Sequence, residues 1–456
     1  MAVDRSALPR LGPEPALRFP SIHKQALPGG MEVWAVAQRA RPLTTIVFLL
    51  PVGAAADPAD RPGLAALTGD LLDEGAGGRS ALDLHEALAR LGARLDTDVG
   101  ADATTLTLSV LSRHVERALE LLADVVCRPR FDPDEFERVR ERRLHRLIQL
   151  RDLPAAVADR ALLRLLYSDH PYGHLAVGNE SSIQAMTLDE VTAFHRRAYA
   201  LSRATLILAG EGDAGALAEV GARMFAGLGR GDVGWAIDAA TMPPPGPPRT
   251  TLALVHRAGA AQSELRLGRV AAARHTPDYH ALLVLNMVAG GQFVSRINLN
   301  LREQKGYTYG VRSAFDLRRG PGPFVLQMSV QTEVTAAAIH EALDELGAIR
   351  EARPVEPHEL EVARAALTRG YPRGFETAAQ IARACAQLAL YDLPDDYFVE
   401  FGPRVQEVDA AAVTAAARRF FAPADLVTLI VGDREQVLPD LDRAGLGPVT
   451  ELAPAT

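Results

Sequence analysis

The segment LSRHVERALELLADVVCRPRFDPDEFERVRERRL, residues 111–144, reads as the end of a strand, a helix, a proline turn and a second helix. The same order returns in VQTEVTAAAIHEALDELGAIREARPVEPHELEVARAAL, residues 330–367, where Pro354 takes the place of Pro129. A repeat of this length indicates that one structural unit is used twice in the chain.

A second pair of matching segments lies farther along each half. In TLDEVTAFHRRAYALSRATLILAGEGD and EVDAAAVTAAARRFFAPADLVTLIVGDRE, an amphipathic helix leads into an apolar strand that ends in Gly-Glu or Gly-Asp. The proline-rich segment DAATMPPPGPPRT, residues 238–250, has the composition of a linker. We therefore divide the chain into an N-terminal domain of residues 1–237, this linker, and a C-terminal domain of residues 251–456.

The strands predicted in each half form two pairs that are separated by helices. They span residues 31–37, 44–51, 93–99 and 102–110 in the first half and 250–256, 264–271, 308–316 and 323–331 in the second. Further helices and one late strand close each half. This order predicts an α+β fold with two homologous domains, each a mixed, mainly antiparallel sheet with helices packed on one face.

Composition narrows the classes of function. The chain has 456 residues, of which 48% are hydrophobic and 23% are charged, as in globular proteins. Its net charge of −8 and the lack of a basic run argue against nucleic-acid binding. The longest apolar run, TTIVFLLPVGAAA, is too short for a membrane span.

The termini and cysteines suggest a location. MAVDRSALPRLGPEPALRFP has no apolar signal region, so a cytoplasmic protein is expected, or a periplasmic one if N-terminal residues have been removed. Cys127 and Cys385, the two cysteines, lie in different halves and are expected to be buried thiols.

A glycine motif in the first half imitates a nucleotide site. Gly210, Gly212 and Gly215 have G-x-G-x-x-G spacing between a strand and a helix. However, Glu211 and Asp213 would place carboxylates where a pyrophosphate must bind. The corresponding segment of the second half, LIVGDREQV, makes the turn without these glycines, so we interpret the motif as turn chemistry.

The histidines of HPYGH, His170 and His174, have the residue type of metal ligands. No third or fourth ligand is evident nearby in the sequence. The proline and glycine between them predict a bend after a helix, and we interpret both histidines as structural.

Two segments, LNLREQKGYTYG and DHPYGHLAVGNESSIQAMTLDEV, resemble those of the pitrilysin-type metallopeptidases, the group of mitochondrial processing peptidase and insulysin. The resemblance extends over almost the whole chain. It implies that paired α+β domains, from two halves or two chains, enclose a clam-shell chamber for unfolded peptides.

The family's zinc motif is degenerate in this chain. In H-x-x-E-H, two histidines bind zinc and the glutamate activates a water molecule. The resemblance aligns this motif with GLAALTGDLLDEG, so that Ala66 and Asp70 replace the histidines and Gly69 replaces the glutamate. The family's further glutamate ligand falls in LHRLIQLRDLP, on an arginine or a leucine. Because zinc needs three protein ligands, none of these positions is expected to hold a metal.

The second half keeps two residues that active family members use. By resemblance, Arg302 and Tyr309 of LREQKGYTYG face the zinc across the chamber and stabilise negative charge on the peptide carbonyl oxygen in the transition state. Gly306 is expected to let the chain leave the helix through a positive φ. Strand parity places Tyr307 on the same face as Tyr309, as a substrate-binding residue. Without the resemblance, the residues themselves favour a structural interpretation, with Arg302 as a helix cap and Tyr309 as an ordinary strand aromatic.

The loop AGGQFVSR, residues 289–296, resembles the glycine-containing loop that precedes this helix in family members. The resemblance implies a minor role in substrate binding for Gly290 and Gly291. An exposed strand edge near the chamber is a further hypothesis for peptide binding, by β-addition.

These residues predict the non-zinc subunit of a heterodimeric zinc peptidase that acts on short or unfolded polypeptides. No cofactor is expected in this chain, zinc is expected in a homologous partner subunit, and neither chain is expected to be active alone. The alternative is a catalytically inactive homologue that serves as a scaffold or peptide-binding subunit. For the isolated chain, a homodimer is the alternative to the heterodimer.

Overall fold

A computed structural model of the chain describes residues 17–38, 41–228 and 242–453. The described residues form two six-stranded sheets with helices, which confirms the predicted α+β class. The predicted domain boundary, between residues 237 and 238, lies outside the described residues, as does the first part of the linker. The strands are β1 His23–Ala26, β2 Glu32–Ala37, β3 Leu43–Leu50, β4 Arg94–Val99, β5 Thr104–Leu111, β6 Thr205–Gly210, β7 Leu252–His256, β8 Gln262–Val270, β9 Val311–Phe315, β10 Pro323–Gln331, β11 Val427–Gly432 and β12 Thr450–Leu452.

The helices of the first half are α1 Leu64–Leu71, α2 Ala81–Arg90, α3 Val115–Cys127, α4 Pro133–Arg151, α5 Pro154–Tyr167, α6 Glu180–Ala185, α7 Leu188–Ala198 and α8 Ala214–Phe225. Those of the second half are α9 Tyr279–Ala289, α10 Arg296–Asn298, α11 Thr335–Arg350, α12 Pro357–Thr368, α13 Ala378–Leu390, α14 Tyr397–Glu407, α15 Ala410–Phe420 and α16 Arg434–Ala444. Helix α10 continues directly into a π-helical segment, Leu299–Gln304.

The two sheets repeat one topology, as the duplicated sequence predicts. Their strand orders are β1-β2-β6-β3-β5-β4 and β12-β7-β11-β8-β10-β9. Most neighbouring strands are antiparallel, whereas β2 with β6, β7 with β11 and β12 with β7 are parallel. The sheets therefore differ at their outermost strands, because β1 is antiparallel to β2. The outermost strands β1 and β12 come from opposite ends of the chain. Neither was predicted, because four polar-rich residues and three residues are too short for a periodic signal.

Strand burial shows how each sheet is covered. In β5, buried and partly buried residues alternate, as expected for a strand with one face on the core. In β6 and β11 every residue is buried. These central strands are therefore covered on both faces, which one layer of helices cannot achieve.

A reciprocal exchange of helices supplies the second layer. Helix α5 of the first half packs on the second sheet, where Leu162 and Leu166 join Leu429 and Val431 in one cluster. Helix α13 of the second half packs on the first sheet in the same way, and Cys385 lies in that cluster. The prediction of helices on one face describes each half alone, and the exchanged helices cover the opposite faces.

Both cysteines are free thiols, with Cys385 buried and Cys127 partly buried. Burial raises the pKa of both thiols to about 12, so that they are protonated at neutral pH. Within the described ranges, no helix combines the length and the apolar sequence that crossing a membrane requires.

Candidate functional site

Helix α1 carries the degenerate metal motif and is held at its start by a carboxylate. Asp57 accepts hydrogen bonds from the backbone N–H of Gly63 (2.6 Å) and Ala65 (2.7 Å), and its other contact is Nε2 of His174 at 3.0 Å. Since the N-terminal amides of a helix favour negative charge, Asp57 stabilises α1. The position of His174 supports its structural interpretation.

His170 lies in the same bend and is almost fully buried. Its Nδ1 accepts a hydrogen bond from the backbone N–H of Tyr172 at 3.0 Å, and burial lowers its pKa. The lowered pKa favours the neutral ring, which supports the loop through this hydrogen bond.

The first and fourth motif positions lie in the interior of the first half. Ala66 and Gly69 are both buried. A Cβ atom at Gly69 would lie 2.9 Å from Cγ2 of Val99 on β4, closer than real contacts of this kind. A glutamate at residue 69 would therefore require Val99 to move.

Asp70, at the position of the second histidine, forms an ion pair within the chain. Its carboxylate accepts a hydrogen bond from Nη2 of Arg143 on α4, and the Arg143 side chain is mostly buried. The resemblance places the family's last zinc ligand on α4 near Arg146, which is exposed, or Leu147, which is fully buried.

Zinc does not fit these residues. Ala66 and Gly69 have no donor atoms, and a guanidinium occupies the neighbourhood of the one carboxylate. Across residues 17–38, 41–228 and 242–453, no three histidine, cysteine, aspartate or glutamate side chains are grouped so that they could hold a metal ion.

Arg302 lies in the π-helical segment rather than at the end of a regular helix. Its Nε and Nη2 donate to Oε1 of Glu303 at 3.0 and 2.7 Å. Its guanidinium carbon lies 3.1 Å from the centre of the Phe293 ring. Although neighbouring side chains are exposed, only 11% of the Arg302 side chain is accessible.

The chain leaves the π-helical segment as predicted from the glycine in the sequence. Gly306 has a φ of 68°, and the backbone N–H of Tyr307 donates to the carbonyl of Leu301 at 2.8 Å. The strand predicted over residues 308–316 begins only at Val311, so residues 307–310 precede it. Strand parity therefore does not apply, and the prediction that Tyr307 and Tyr309 share a face is wrong. Tyr307 packs against the second-half core, whereas Tyr309 is 95% exposed.

Tyr309 borders a cleft of about 950 Å³ on the second half, which we call the Tyr309 cleft. Gly290 and Gly291 line it together with Tyr309, so the structure brings three of the predicted site residues to one surface. Arg302 reaches this surface only through Phe293, which covers its guanidinium and also lines the cleft.

An asparagine that sequence reasoning missed closes the open edge of β9 beside the cleft. The Asn298 side chain accepts from the backbone N–H of Val311 (2.8 Å) and donates to the carbonyl of the same residue (2.9 Å). The backbone N–H of Ser313 donates to the carbonyl of Gly290 at 3.1 Å. The edge of β9 is therefore not available for β-addition at these residues. A buried asparagine within the apolar pattern of RINLNL was the available signal.

The floor of the cleft contains a second missed residue, Arg266 on β8. Its side chain is 2% exposed, and it pairs with Asp159 of α5 and Glu264, both at 2.7 Å. This ion pair joins the exchanged helix α5 to the second sheet. An arginine within the apolar strand ELRLGRV could have indicated it.

The glycine segment at the end of β6 is a turn. Gly212 has a φ of 114°, and Asp213 accepts from the backbone N–H of Ala216 at 3.1 Å to cap α8. A carboxylate thus occupies the helix N-terminus where a phosphate group would bind.

Known proteins are similar in sequence to this chain over most of its length. Residues 33–179 match the sequence model of a family described as Insulinase (Peptidase family M16). Residues 185–367 match a second model of that family, described as the Peptidase M16 inactive domain. The chain belongs to the M16 peptidase family. This confirms the resemblance seen in the sequence.

Individual relatives of this M16 protein agree with that assignment. It is 28% identical to an "uncharacterized zinc protease" of Mycobacterium tuberculosis over 373 residues, which cover 82% of this chain and 84% of the relative. A crystal structure of a peptidase M16 inactive domain from Pseudomonas fluorescens is 26% identical, with a TM-score of 0.84 over 91% of this chain and 98% of that one. A protease from Helicobacter pylori, 18% identical, shares the fold with a TM-score of 0.82 over 90% of this chain and 99% of that one.

Proposed function

We propose that this M16 protein is the non-zinc subunit of a heterodimeric zinc peptidase that acts on short or unfolded polypeptides. The observation that carries the proposal is the asymmetry between the halves. In the first half, Ala66 and Gly69 have no donor atoms, and the one carboxylate of the motif, Asp70, is bound to Arg143. The second half keeps Arg302 and Tyr309 beside an open cleft. A partner of the same family would bring zinc, and this chain alone would be inactive.

Tyr309 and Arg302 supply hydrogen-bond donors for developing negative charge. The phenol of Tyr309 is exposed and free to donate to a peptide carbonyl oxygen. The guanidinium of Arg302 adds a positive charge on the same side of the chain. Donors that bind the transition state more tightly than the substrate lower the barrier by about 3 kcal/mol each.

The Tyr309 cleft is wide enough for a polypeptide segment. Its wall is closely packed at two glycines, because a Cβ atom would come within 2.7 Å of Oγ of Ser313 at Gly290 and within 2.4 Å of Nδ2 of Asn286 at Gly291. Because the edge of β9 is closed, side-chain and backbone contacts across the cleft would hold the substrate there.

A second candidate function is a scaffold or peptide-binding subunit without catalysis. One observation favours it: Arg302 is engaged by Glu303 and covered by Phe293. Both functions use the Tyr309 cleft, and they differ in whether Arg302 and Tyr309 contribute to the rate of hydrolysis.

The test measures hydrolysis of an internally quenched, unstructured peptide in three reactions. These contain this chain, a zinc-bearing M16 chain from the same organism, and their mixture with zinc. We expect activity only in the mixture, together with a heterodimer in native mass spectrometry. Arg302→Ala and Tyr309→Phe should each lower kcat/KM by about 100-fold.

The matched control is Arg90→Ala, which changes an exposed arginine on α2 and should leave kcat/KM within about twofold of the unmodified mixture. If the zinc-bearing chain is fully active alone and the mixture adds nothing, the catalytic proposal is wrong. A heterodimer without added activity would then indicate the scaffold.

A further inference from the structure

The loop between α9 and α10 places an aromatic ring on the surface. Phe293 is 69% exposed, next to the exposed Val294. Large apolar side chains are usually buried, so two adjacent exposed ones call for an explanation. One face of the Phe293 ring lies against the Arg302 guanidinium, and the side chain lines the Tyr309 cleft.

The ring completes a set of contacts that conceals Arg302. Glu303 binds Nε and Nη2, and Phe293 covers the guanidinium face. The third nitrogen, Nη1, is buried and has no hydrogen-bond partner in the described part of the chain. A buried donor without a partner is costly, and it gains a hydrogen bond as soon as an acceptor reaches it.

The ring can move without unfolding its surroundings. The loop is anchored on both sides of Phe293, by the carbonyl of Gly290 to β9 and by the Asn298 side chain to Val311. Phe293 and Val294 are both exposed, at 69% and 53%. A cation–π contact at an exposed site shifts a population by only roughly two- to fivefold, so a ligand can displace the ring.

We propose that Phe293 is a positioning residue that masks Arg302 and releases it when a polypeptide occupies the Tyr309 cleft. A backbone carbonyl of the polypeptide then becomes the missing acceptor for Nη1. The masking concerns this chain alone, whereas its consequence for catalysis rests on the proposed function.

The test is the rate at which phenylglyoxal, an arginine-specific reagent, modifies Arg302 in the full chain, measured residue by residue by mass spectrometry. Removing the ring by Phe293→Ala should accelerate modification of Arg302 by about fivefold. Phe293→Trp should keep the slow rate, because an indole binds a guanidinium at least as well. Val294→Ala, which removes the neighbouring exposed side chain, should change nothing.

Buried Arg266 and exposed Arg90 serve as internal references, and their rates should be the same in all variants. Equal modification of Arg302 in the wild type and Phe293→Ala would overturn the masking, as would equal acceleration by Val294→Ala. This measurement needs neither partner nor zinc. An inactive mixture in the peptidase assay therefore leaves the masking result intact and counts only against the proposed function.

Discussion

Asp70 and Arg143 show how one residue pair can settle the chemistry of a site. A carboxylate at a former ligand position is a potential metal ligand by itself. Here, however, it is bound to a mostly buried guanidinium that arrives from α4. The positive charge of Arg143 would repel a divalent cation, and its removal would leave a carboxylate without its partner.

Restoring the motif should therefore not restore a metal site. We expect the triple variant Ala66→His, Gly69→Glu and Asp70→His to bind zinc less than about tenfold more tightly than the wild type. The expected position of the third ligand on α4 holds an arginine or a leucine, and Arg143 remains. Competition with a fluorescent chelator measures the affinity. Circular dichroism must show that the variant is folded, and tight binding of one zinc ion per folded chain would contradict the prediction.

His195 predicts how stability depends on acidity. Its ring stacks on Tyr199 at 4.7 Å, its Nε2 donates to the carbonyl of Val126 at 2.9 Å, and burial lowers its pKa to about 4. Above pH 6.5, both the folded and unfolded states hold a neutral imidazole. Between pH 6.5 and 4, only the unfolded state binds the proton, so the free energy of unfolding falls, by at most about 3 kcal/mol.

Urea unfolding from pH 7 to pH 4 measures this loss. His195→Gln keeps an N–H donor for Val126 but cannot titrate, so its stability should fall less over this range than that of the wild type. His280, whose pKa burial also lowers to about 4, contributes equally to both proteins. Parallel curves for the two proteins would show that His195 is not the group responsible.

At the scale of elements, the edge strand β9 is closed by a side chain and by the loop before α10. β4 and β9 occupy the same outermost place in their sheets. The edge of β9 is satisfied by Asn298 and by the carbonyl of Gly290, so an incoming strand finds its ladder already occupied. This closure also anchors the loop that carries Phe293.

Removing the asparagine should therefore destabilise the element. Asn298→Ala leaves the buried N–H and carbonyl of Val311 without partners, and we expect the free energy of unfolding to fall by about 2–4 kcal/mol. Asn298→Asp keeps the oxygen that accepts from the Val311 N–H but loses the donor, so its free energy of unfolding should lie between those of the wild type and Asn298→Ala. Urea denaturation gives the stability, and hydrogen exchange of the Val311 amide reports the local opening. A loss below about 0.5 kcal/mol would mean that water replaces the side chain.

At the scale of the whole molecule, the exchange of α5 and α13 ties the halves together. Each sheet depends on a helix from the other half to cover its second face. The Arg266–Asp159 ion pair connects the same elements. The duplicated halves are consequently similar in topology but are not independent in stability.

We expect the protein to unfold in one cooperative transition. A fragment of residues 251–456 would expose the face of its sheet that α5 covers, so that it should bind the dye ANS and aggregate. Co-expression with residues 1–237 should restore a soluble complex. Calorimetry of the full chain provides the direct measurement, and two separate transitions would contradict the interdependence.

Much of the fold could be predicted because it depends on local periodicity. The alternation of buried and partly buried residues in β5 and the helix–proline–helix order around Pro129 and Pro354 both follow from residues that are close together in the sequence. For the candidate site, the prediction depended on motif positions. Phe293, Asn298 and Arg266 escaped it, because their partners lie on other elements, and Tyr307 was misplaced because the strand begins later than its pattern suggested.

By itself, the sequence determined the two similar α+β halves, the loss of the metal donors at Ala66 and Gly69, and the presence of Arg302 and Tyr309 in the second half. Only the tertiary structure decided that α5 and α13 each pack on the sheet of the other half, that Arg143 binds Asp70, and that Phe293 covers Arg302. The physical reason is the separation along the chain of the residues that interact. Hydrophobic periodicity and missing donor atoms belong to single residues and their neighbours, whereas ion pairs, helix exchange and ring contacts exist only once distant segments are packed together.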